Sequence, residues 1–229
     1  MNYTGITAEA LFLLSRNRFE DSKEFYEAHK AQIKQQVFVP LSQIMEALAD
    51  DFVKLDPQML LAPSKMMSRV RRDTRFTKEK HMYRDEVWLM FMRPKEEPFL
   101  WPCFWFEIRP GEGFWSAGVC VYDPAPKFMQ FLRECFDDDF LAAADSAIAG
   151  GAELECDPYK KDRAADAPAA LKPYLNAKSF GFKHTCHDLT LLESQAIVDC
   201  LRTFYRACHP MYTWLKHAAE KYIEKEGLS

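Results

Sequence analysis

The chain has 229 residues, of which 48% are hydrophobic and 14% aromatic, and these fractions provide ample material for a folded core. With 30 Lys and Arg against 34 Asp and Glu, the formal charge is −4, which disfavours nucleic acid or an anionic membrane as the partner of the surface as a whole. Eight glycines and 28% charged residues also exclude collagen-like and low-complexity chains.

Signals for export and for membrane insertion are weak. The apolar run at residues 11–14 is too short for a signal peptide, and the run at 88–92 is far shorter than the about 20 residues of a membrane-spanning helix. Seven cysteines without a Cys-x-x-Cys pair are typical of reduced thiols. We therefore expect a cytoplasmic protein with no membrane partner.

The first quarter of the chain is predicted to be helical. Thr7 can cap a short helix over residues 8–15, and residues 21–24 have the capping-box spacing of an acidic cap followed by Glu. Pro40 suits the first turn of a third helix that ends at residues 56–57. The apolar stripe of that third helix consists of Leu41, Ile44, Met45, Leu48 and Phe52.

Short aromatic or β-branched runs follow, separated by Pro, Gly and charged turns, and they predict strands. Their connections are too short for parallel crossovers, so we expect an antiparallel meander sheet over about residues 64–122, plus a short later strand or two. In one strand, Phe104, Phe106 and Ile108 share a face that is suited to packing. The predicted strands are residues 65–71, 86–93, 103–109 and 114–122.

The remainder of the chain is predicted to be mixed. A helix over residues 126–149 ends at two glycines, and a further helix begins at Asp188 and runs to Cys208, before Pro210 opens a last one. Between them lie a strand at 153–156, a helical turn near 169–175 and a strand around 179–183. No linker or repeat divides the chain, so residues 1–229 are predicted to form a single α+β domain, with helices from both ends packed on the sheet.

One stretch, residues 69–84, differs from the rest in charge, and we call it the basic segment. It carries a formal charge of +5 in an otherwise acidic chain, which indicates a polarised surface, an ion-pair network, or both. Its bases are Arg69, Arg71, Arg72, Arg75, Lys78, Lys80 and Arg84, and its acids are Asp73 and Glu79.

The basic segment resembles the signature of a conserved family, domain of unknown function 2461. The family core reads roughly Arg-x-x-Arg-Asp-Thr-Arg-Phe, then Ser or Thr, Lys, an acid, Lys, two further residues, Tyr and a base; here it matches Arg69, residues 72–80, Tyr83 and Arg84. Met82 stands where the family has Pro. The chain also resembles the family at Asn17, Lys30, Pro40, Gly118 and Pro124. Phe25 and Tyr26 stand where the family has Trp-Phe. The resemblance implies a shared fold but carries no activity and no catalytic residue.

The basic segment predicts a site for a small anionic ligand. Guanidinium groups bind phosphate and carboxylate with paired, charge-assisted hydrogen bonds. Asp73 is expected to orient an arginine and Tyr83 to supply a hydroxyl; whether the site is catalytic is left open. The candidate site residues are Arg69, Arg72, Asp73, Arg75, Lys80, Tyr83 and Arg84.

The alternative is a non-enzymatic interaction or scaffold module. In that interpretation Asp73, Glu79 and distant acids such as Glu107 neutralise the arginines in a structural network, or the arginines hold an acidic partner protein. The two interpretations remain open at the level of sequence.

Other chemistries have weaker signals. His81 is the nearest candidate base, and no Gly-rich phosphate loop is present. The His and Cys residues at 184–187, with those at 200, 208 and 209, match no standard zinc spacing, so we predict no metal and no cofactor. Aromatic residues near the sheet could stack bases, but core packing is the commoner role, and nucleic acid is disfavoured as a partner.

Overall fold

The computed structural model describes residues 3–75, 78, 80–94 and 100–228. These ranges contain eight α-helices and five strands. The helices are α1 (Ala8–Glu20), α2 (Lys23–Ile33), α3 (Val39–Leu55), α4 (Pro63–Met66), α5 (Pro126–Cys135), α6 (Asp138–Ala149), α7 (Lys172–Leu175) and α8 (Ala196–Glu226). The strands are β1 (Val87–Phe91), β2 (Pro102–Arg109), β3 (Phe114–Val121), β4 (Glu153–Pro158) and β5 (Ala177–Cys186).

The first two helices meet at a sharp corner. Helix α1 begins at Thr7, whose side chain accepts a hydrogen bond from the Ala10 N–H, but it continues to Glu20, five residues beyond the predicted end. The predicted acidic cap of α2 is wrong, because Ser22 accepts the hydrogen bond from the Phe25 N–H. Asp21 instead terminates α1 in the left-handed conformation (φ 43°), which frees its carboxylate for other contacts.

Helices α2 and α3 are joined without a break by a π-helical turn, Lys34–Phe38. Pro40 lies in the first turn of α3, directly after the π-helical turn, so its missing N–H falls where the helical hydrogen-bond pattern changes. The predicted apolar stripe of α3 is fully buried, so this helix packs along its whole length.

The five strands form one antiparallel sheet of order β1-β2-β3-β5-β4, which confirms the α+β class. The first three strands are a meander, and β5 lies between β3 and β4. The short connection from β2 to β3 turns at Gly113, which takes a positive φ of 74° that glycine adopts without strain.

The predicted strand at residues 65–71 is wrong. Pro63 starts the four-residue helix α4. Single bridges hold the chain on either side of it, Leu60 with Met92 before the helix and Met67 with Leu89 of β1 after it. The Ser68 N–H donates to the Trp88 carbonyl over 2.8 Å. The edge beyond β1 is therefore an irregular segment rather than a sixth regular strand.

One face of the sheet forms the core, as the alternation in β2 predicts. Phe104, Phe106 and Ile108 are fully buried, and α8 packs across them. The ring of Phe104 lies 5.1 Å from that of Tyr205 and 4.9 Å from that of Tyr212, both on α8. The opposite face carries half-buried side chains from β1 and β2 and remains partly open.

Two helix boundaries differ from the prediction. The helix expected over residues 126–149 divides into α5 and α6, because Asp137 accepts a hydrogen bond from the Phe140 N–H and caps a new helix. Asp188 caps a short 3-10 helix, Leu189–Glu193, before α8 begins. Pro210 lies inside α8 and does not end it.

A buried ion pair ties α3, the end of β1 and α8 together. Asp56 accepts hydrogen bonds from Arg93 Nε (2.8 Å) and Nη2 (3.3 Å), and the Tyr212 hydroxyl donates to the same carboxylate over 2.8 Å. The side chains of Arg93 and Asp56 are 7% and 1% exposed. The Arg93 guanidinium also stacks on Trp101, 3.6 Å from the ring centroid.

Candidate functional site

The basic segment folds back on itself as a short two-stranded arm. Arg71 and Tyr83 form an antiparallel bridge, the Arg72 N–H donates to the Met82 carbonyl (2.8 Å), and the Arg84 N–H donates to the Val70 carbonyl (2.9 Å). These contacts pair residues 70–72 with residues 82–84. Residues 76, 77 and 79, including the predicted network acid Glu79, lie outside the described part of the chain.

Asp21 anchors this arm to the corner between α1 and α2. Its carboxylate accepts hydrogen bonds from the Met82 N–H (2.7 Å) and the Tyr83 N–H (3.1 Å) and lies 3.3 Å from His81 Nδ1. The Tyr83 ring is buried and stacks on Tyr26 at 4.9 Å, and burial raises the pKa of its hydroxyl. Tyr83 therefore supports the arm from the core side.

A groove of about 920 Å³ lies between the arm, residues 60–68 and β1 with the residues that follow it. Five of the seven predicted site residues line it: Arg69, Arg72, Asp73, Arg75 and Arg84. Lys80 and Tyr83 lie outside the lining. Among the described lining residues, Asp73 is the one acid, and the cations are Lys65, Arg69, Arg71, Arg72, Arg75 and Arg84.

Arg84 is held in a defined position at the groove. Its Nη1 donates to Glu86 over 2.8 Å, and its guanidinium lies 4.6 Å from the centroid of the Trp88 ring. Its Nε is buried and has no hydrogen-bond partner within the described ranges. Stacking on an aromatic face and pairing with a carboxylate both reduce the freedom of an arginine before a ligand binds.

Asp73 orients Arg75, and this pair is exposed. Arg75 Nη2 lies 2.7 Å from Asp73 Oδ2, Nε donates to Oδ1 over 3.0 Å, and the Arg75 N–H donates to Oδ1 over 3.2 Å. The hydrogen bonds from the Arg75 side chain and backbone lower the pKa of Asp73 to about 2. The carboxylate is thus ionised at neutral pH and occupied by its neighbour.

The remaining cations of the arm differ in what they contact. Arg69 and Arg71 are exposed, and their side chains form no hydrogen bond or ion pair with the residues that the structure describes. The Lys80 ammonium donates a hydrogen bond to the Thr74 carbonyl over 2.9 Å and so links the two sides of the arm. The arm therefore presents two arginines whose hydrogen-bond donors are available to a ligand.

The predicted long-range network is not built on Glu107. That carboxylate accepts hydrogen bonds from Arg109 Nε (3.1 Å) and from the Ser116 hydroxyl (2.8 Å) on the open face of the sheet. The ion pairs of Arg75 and Arg84 each join a partner two residues away in the sequence. These two pairs are local and connect no helix to the sheet.

Sequence reasoning missed the apolar side of the groove. Trp88 and Met90 alternate with buried residues along β1, and Met92 follows two positions later. This i, i+2, i+4 pattern places the three residues on one strand face, and it was readable from the sequence. The contact of these three residues with the basic segment could not be predicted from the sequence, because it depends on the irregular edge beside β1.

The weaker candidates do not assemble into sites. His184 Nδ1 lies 2.9 Å from the Gly151 carbonyl and His187 Nδ1 lies 3.2 Å from the Gly113 carbonyl, so both rings have backbone partners. No group of three or more His, Cys, Asp or Glu residues in the described part of the chain is placed to hold a metal ion. Nor does any helix in that part have the length and apolar character needed to cross a membrane.

Comparison with known proteins gives one match. The model of a family described as "Conserved hypothetical protein (DUF2461)" matches residues 9–214. That range includes all of α1 except its first residue, the basic segment, the whole sheet and most of α8. No curated protein and no solved structure matches the chain.

Proposed function

The chain belongs to the DUF2461 family of conserved hypothetical proteins, whose description names no activity, and we propose from the geometry of the groove that it binds a small anionic ligand bearing a phosphate or carboxylate. One observation carries the proposal. Two exposed arginines of the described lining, Arg69 and Arg71, form no hydrogen bond or ion pair with the described residues, and the one carboxylate of that lining is already bound by Arg75. Such an imbalance favours an anion from outside the chain.

The cations of the groove would contribute to anion binding in different ways. Arg84 is positioned by Glu86 and Trp88, so its guanidinium needs little reorganisation when an anion arrives. Arg69 and Arg71 are exposed and supply the forked donors that match phosphate and carboxylate oxygens. The attraction should be strongest at the half-buried Arg84, because charges attract more strongly where water is partly excluded.

The lining favours binding over proton transfer. Among the described lining residues there is no histidine or cysteine, and Asp73, with a pKa of about 2, is too weak a base to accept a proton at neutral pH. The groove can hold an anion and stabilise negative charge. We therefore propose a binding role for the described residues.

A second candidate is an acidic segment of a partner protein. The exposure of Arg69, Arg71 and Arg75 on the arm favours it, because exposed arginines are as accessible to a peptide as to a small molecule. A peptide would contact several of these side chains at once, whereas a small anion needs only two or three inside the groove.

The test measures thermal unfolding in the presence of inorganic phosphate, pyrophosphate and citrate at constant ionic strength, since added salt alone screens exposed charges. A ligand at 100 times its Kd stabilises the folded state by about 2.7 kcal/mol. For a chain of this length that raises the Tm by roughly 5–11 °C. Arg71→Gln should weaken the binding of these anions by about tenfold or more.

Lys127→Gln is the matched control, because Lys127 is an exposed cation on α5 that does not line the groove. It should leave the protection unchanged. No protection of the wild-type protein by any of the three anions, or equal loss in both variants, would contradict the proposal. Binding of an acidic peptide without protection by small anions would favour the second candidate.

A further inference from the structure

We propose that the anion bound in this groove is amphiphilic: a carboxylate or phosphate ester carried on an unbranched hydrocarbon chain. The inference rests on the proposed function and concerns the body of the ligand rather than its charge. It follows from the contrast between the two sides of the groove.

The side formed by β1 is apolar. Trp88 and Met90 are half-buried on the open face of the sheet, and Met92 is 7% exposed at the end of that row. Leu60, bridged to Met92, extends the same surface. Apolar side chains that stay accessible inside a concave groove gain from being covered by an apolar ligand.

Methionine is frequent in the lining of the groove as a whole, on β1 and the residue after it, on residues 60–68 and on the arm. The chain contains 10 methionines, and five of them line the groove: Met66, Met67, Met82, Met90 and Met92. Methionine is unbranched and polarisable, with three rotatable bonds, so a surface made of it adapts to flexible apolar ligands. A hydrocarbon chain with several conformers is the kind of ligand that such a surface accommodates.

The side formed by the arm is cationic. Arg69, Arg71 and Arg75 line it, and Arg84 marks the junction of the two sides because its guanidinium lies over Trp88. An anionic head at the arginines therefore places the adjoining carbon atoms near Met90 and Met92 rather than on the Trp88 ring face that Arg84 covers. The groove volume of about 920 Å³ lies within the range of about 300–1,000 Å³ typical of small-molecule sites, which leaves room for both parts.

A nucleotide fits this groove less well. Arg84 occupies one face of the Trp88 ring, where a base would otherwise stack. Among the described lining residues there is no Asn or Gln to pair with a base edge, and the Ser68 hydroxyl already accepts a hydrogen bond from the Trp88 N–H. The chemistry of the lining thus favours a hydrocarbon body over an aromatic, hydrogen-bonding one.

A bilayer surface is also disfavoured as the source of the anion. The apolar residues in question face into the groove, whereas the large hydrophobic side chains that are exposed among the described residues, such as Phe12, Phe19 and Tyr122, do not line it. Insertion into a membrane needs apolar side chains that project outwards. The groove is suited to a single amphiphile taken from solution.

The experiment is a calorimetric titration of the full chain with butanoate, hexanoate, octanoate and decanoate below their micelle-forming concentrations, with inorganic phosphate and ADP in parallel. The affinity should rise about two- to fourfold for each added methylene, as burial of a hydrocarbon chain requires. Met90→Gln should reduce this increment while leaving phosphate binding unchanged, and Met90→Leu should preserve it. Arg71→Gln should weaken every member of the series by the same factor.

The outcomes separate the two proposals. If phosphate binds but the affinity for the fatty acids does not depend on chain length, the amphiphile inference is wrong and the proposed anion site stands. If neither phosphate nor any fatty acid binds, both are wrong. Three other results would also overturn the inference. ADP could bind more tightly than decanoate, the gain in affinity per methylene could be the same in Met90→Gln as in wild type, or the protein could bind only to anionic phospholipid vesicles. Met67→Gln is a second groove variant should Met90→Gln fail to fold.

Discussion

Replacement of Arg93 by methionine tests whether the buried ion pair holds the helices to the sheet. Arg93 donates two hydrogen bonds to the Asp56 carboxylate in a site where both side chains are buried, and Tyr212 from α8 donates to the same carboxylate. Methionine retains much of the apolar stem that packs there but removes the charge. Asp56 then remains buried, with the Tyr212 hydroxyl and the Gln58 N–H as its donors.

The expected decrease in the free energy of unfolding is large. Removing one partner of a buried ion pair costs about 3–5 kcal/mol, because the other charge stays desolvated and uncompensated. At roughly 2–4 °C per kcal/mol for a chain of this length, the Tm should fall by about 6–20 °C. Tyr212→Phe removes a single hydrogen bond to a charged group and should cost less, about 1.5–3 kcal/mol.

The loss should depend on pH. Burial by itself raises the pKa of Asp56, but the hydrogen bonds from Arg93 and Tyr212 outweigh burial and lower the pKa below its ordinary value. A group with a lowered pKa in the folded state contributes stability that is present above its unfolded pKa, about 3.9, and is lost as the pH falls through the folded pKa. In Arg93→Met, Asp56 loses the main donor that lowers its pKa, so the carboxylate becomes protonated at a higher pH than in wild type. The difference in stability between wild type and variant should therefore narrow as the pH falls from the raised Asp56 pKa of the variant to the lowered pKa of wild type.

Urea unfolding followed by far-ultraviolet circular dichroism at pH 7 and at pH 3 measures both effects. A double-mutant cycle with Asp56→Asn isolates the coupling between the two side chains. A loss below about 1 kcal/mol at pH 7, as for a solvent-exposed pair, would refute the reasoning. So would a loss of equal size at both pH values.

Two further predictions concern the sheet and the arm. Gly118→Ala should lower the free energy of unfolding in urea by about 1–3 kcal/mol, because a Cβ there would lie 2.6 Å from the Trp105 ring. Gly111→Ala is the control and should cost much less, because its Cβ would meet only the carboxylate end of a side chain. Equal losses of stability in the two variants would contradict the packing argument. Arg75→Ala should leave the Tm nearly unchanged, because its pair with Asp73 is exposed, while the Asp73 pKa measured by NMR rises from about 2 towards its ordinary value. A large fall in Tm would instead restore the structural interpretation of this pair.

Local patterns predicted much of the fold because their period matches the geometry of one element. The stripe from Leu41 to Phe52 and the alternation from Phe104 to Ile108 each place apolar side chains on one side of a helix or strand. Such patterns report burial whatever covers the buried face. They consequently identified α3 and β2 without any knowledge of α8, which packs against both.

Local rules failed where packing outweighed them. Pro210 was expected to separate two helices, because proline in a helix interior costs about 3 kcal/mol. In the folded chain Tyr205, Met211 and Tyr212 are all buried along one continuous helix, and this burial exceeds the penalty. The prediction of a strand at residues 65–71 was wrong because that segment pairs with its neighbour β1 only at an isolated bridge, whatever its composition favours locally.

The α+β class and the concentrated positive charge at residues 69–84 could be predicted from the amino-acid sequence, because short, contiguous stretches carry both properties. The surroundings of that charge could not, because they follow from the packing of the folded chain. The single bridge between Met67 and Leu89 and the hydrogen bonds of Asp21 to the arm bring the arginines beside Trp88, Met90 and Met92. Contacts between residues so far apart in the chain depend on how several elements pack together, and no local pattern encodes them.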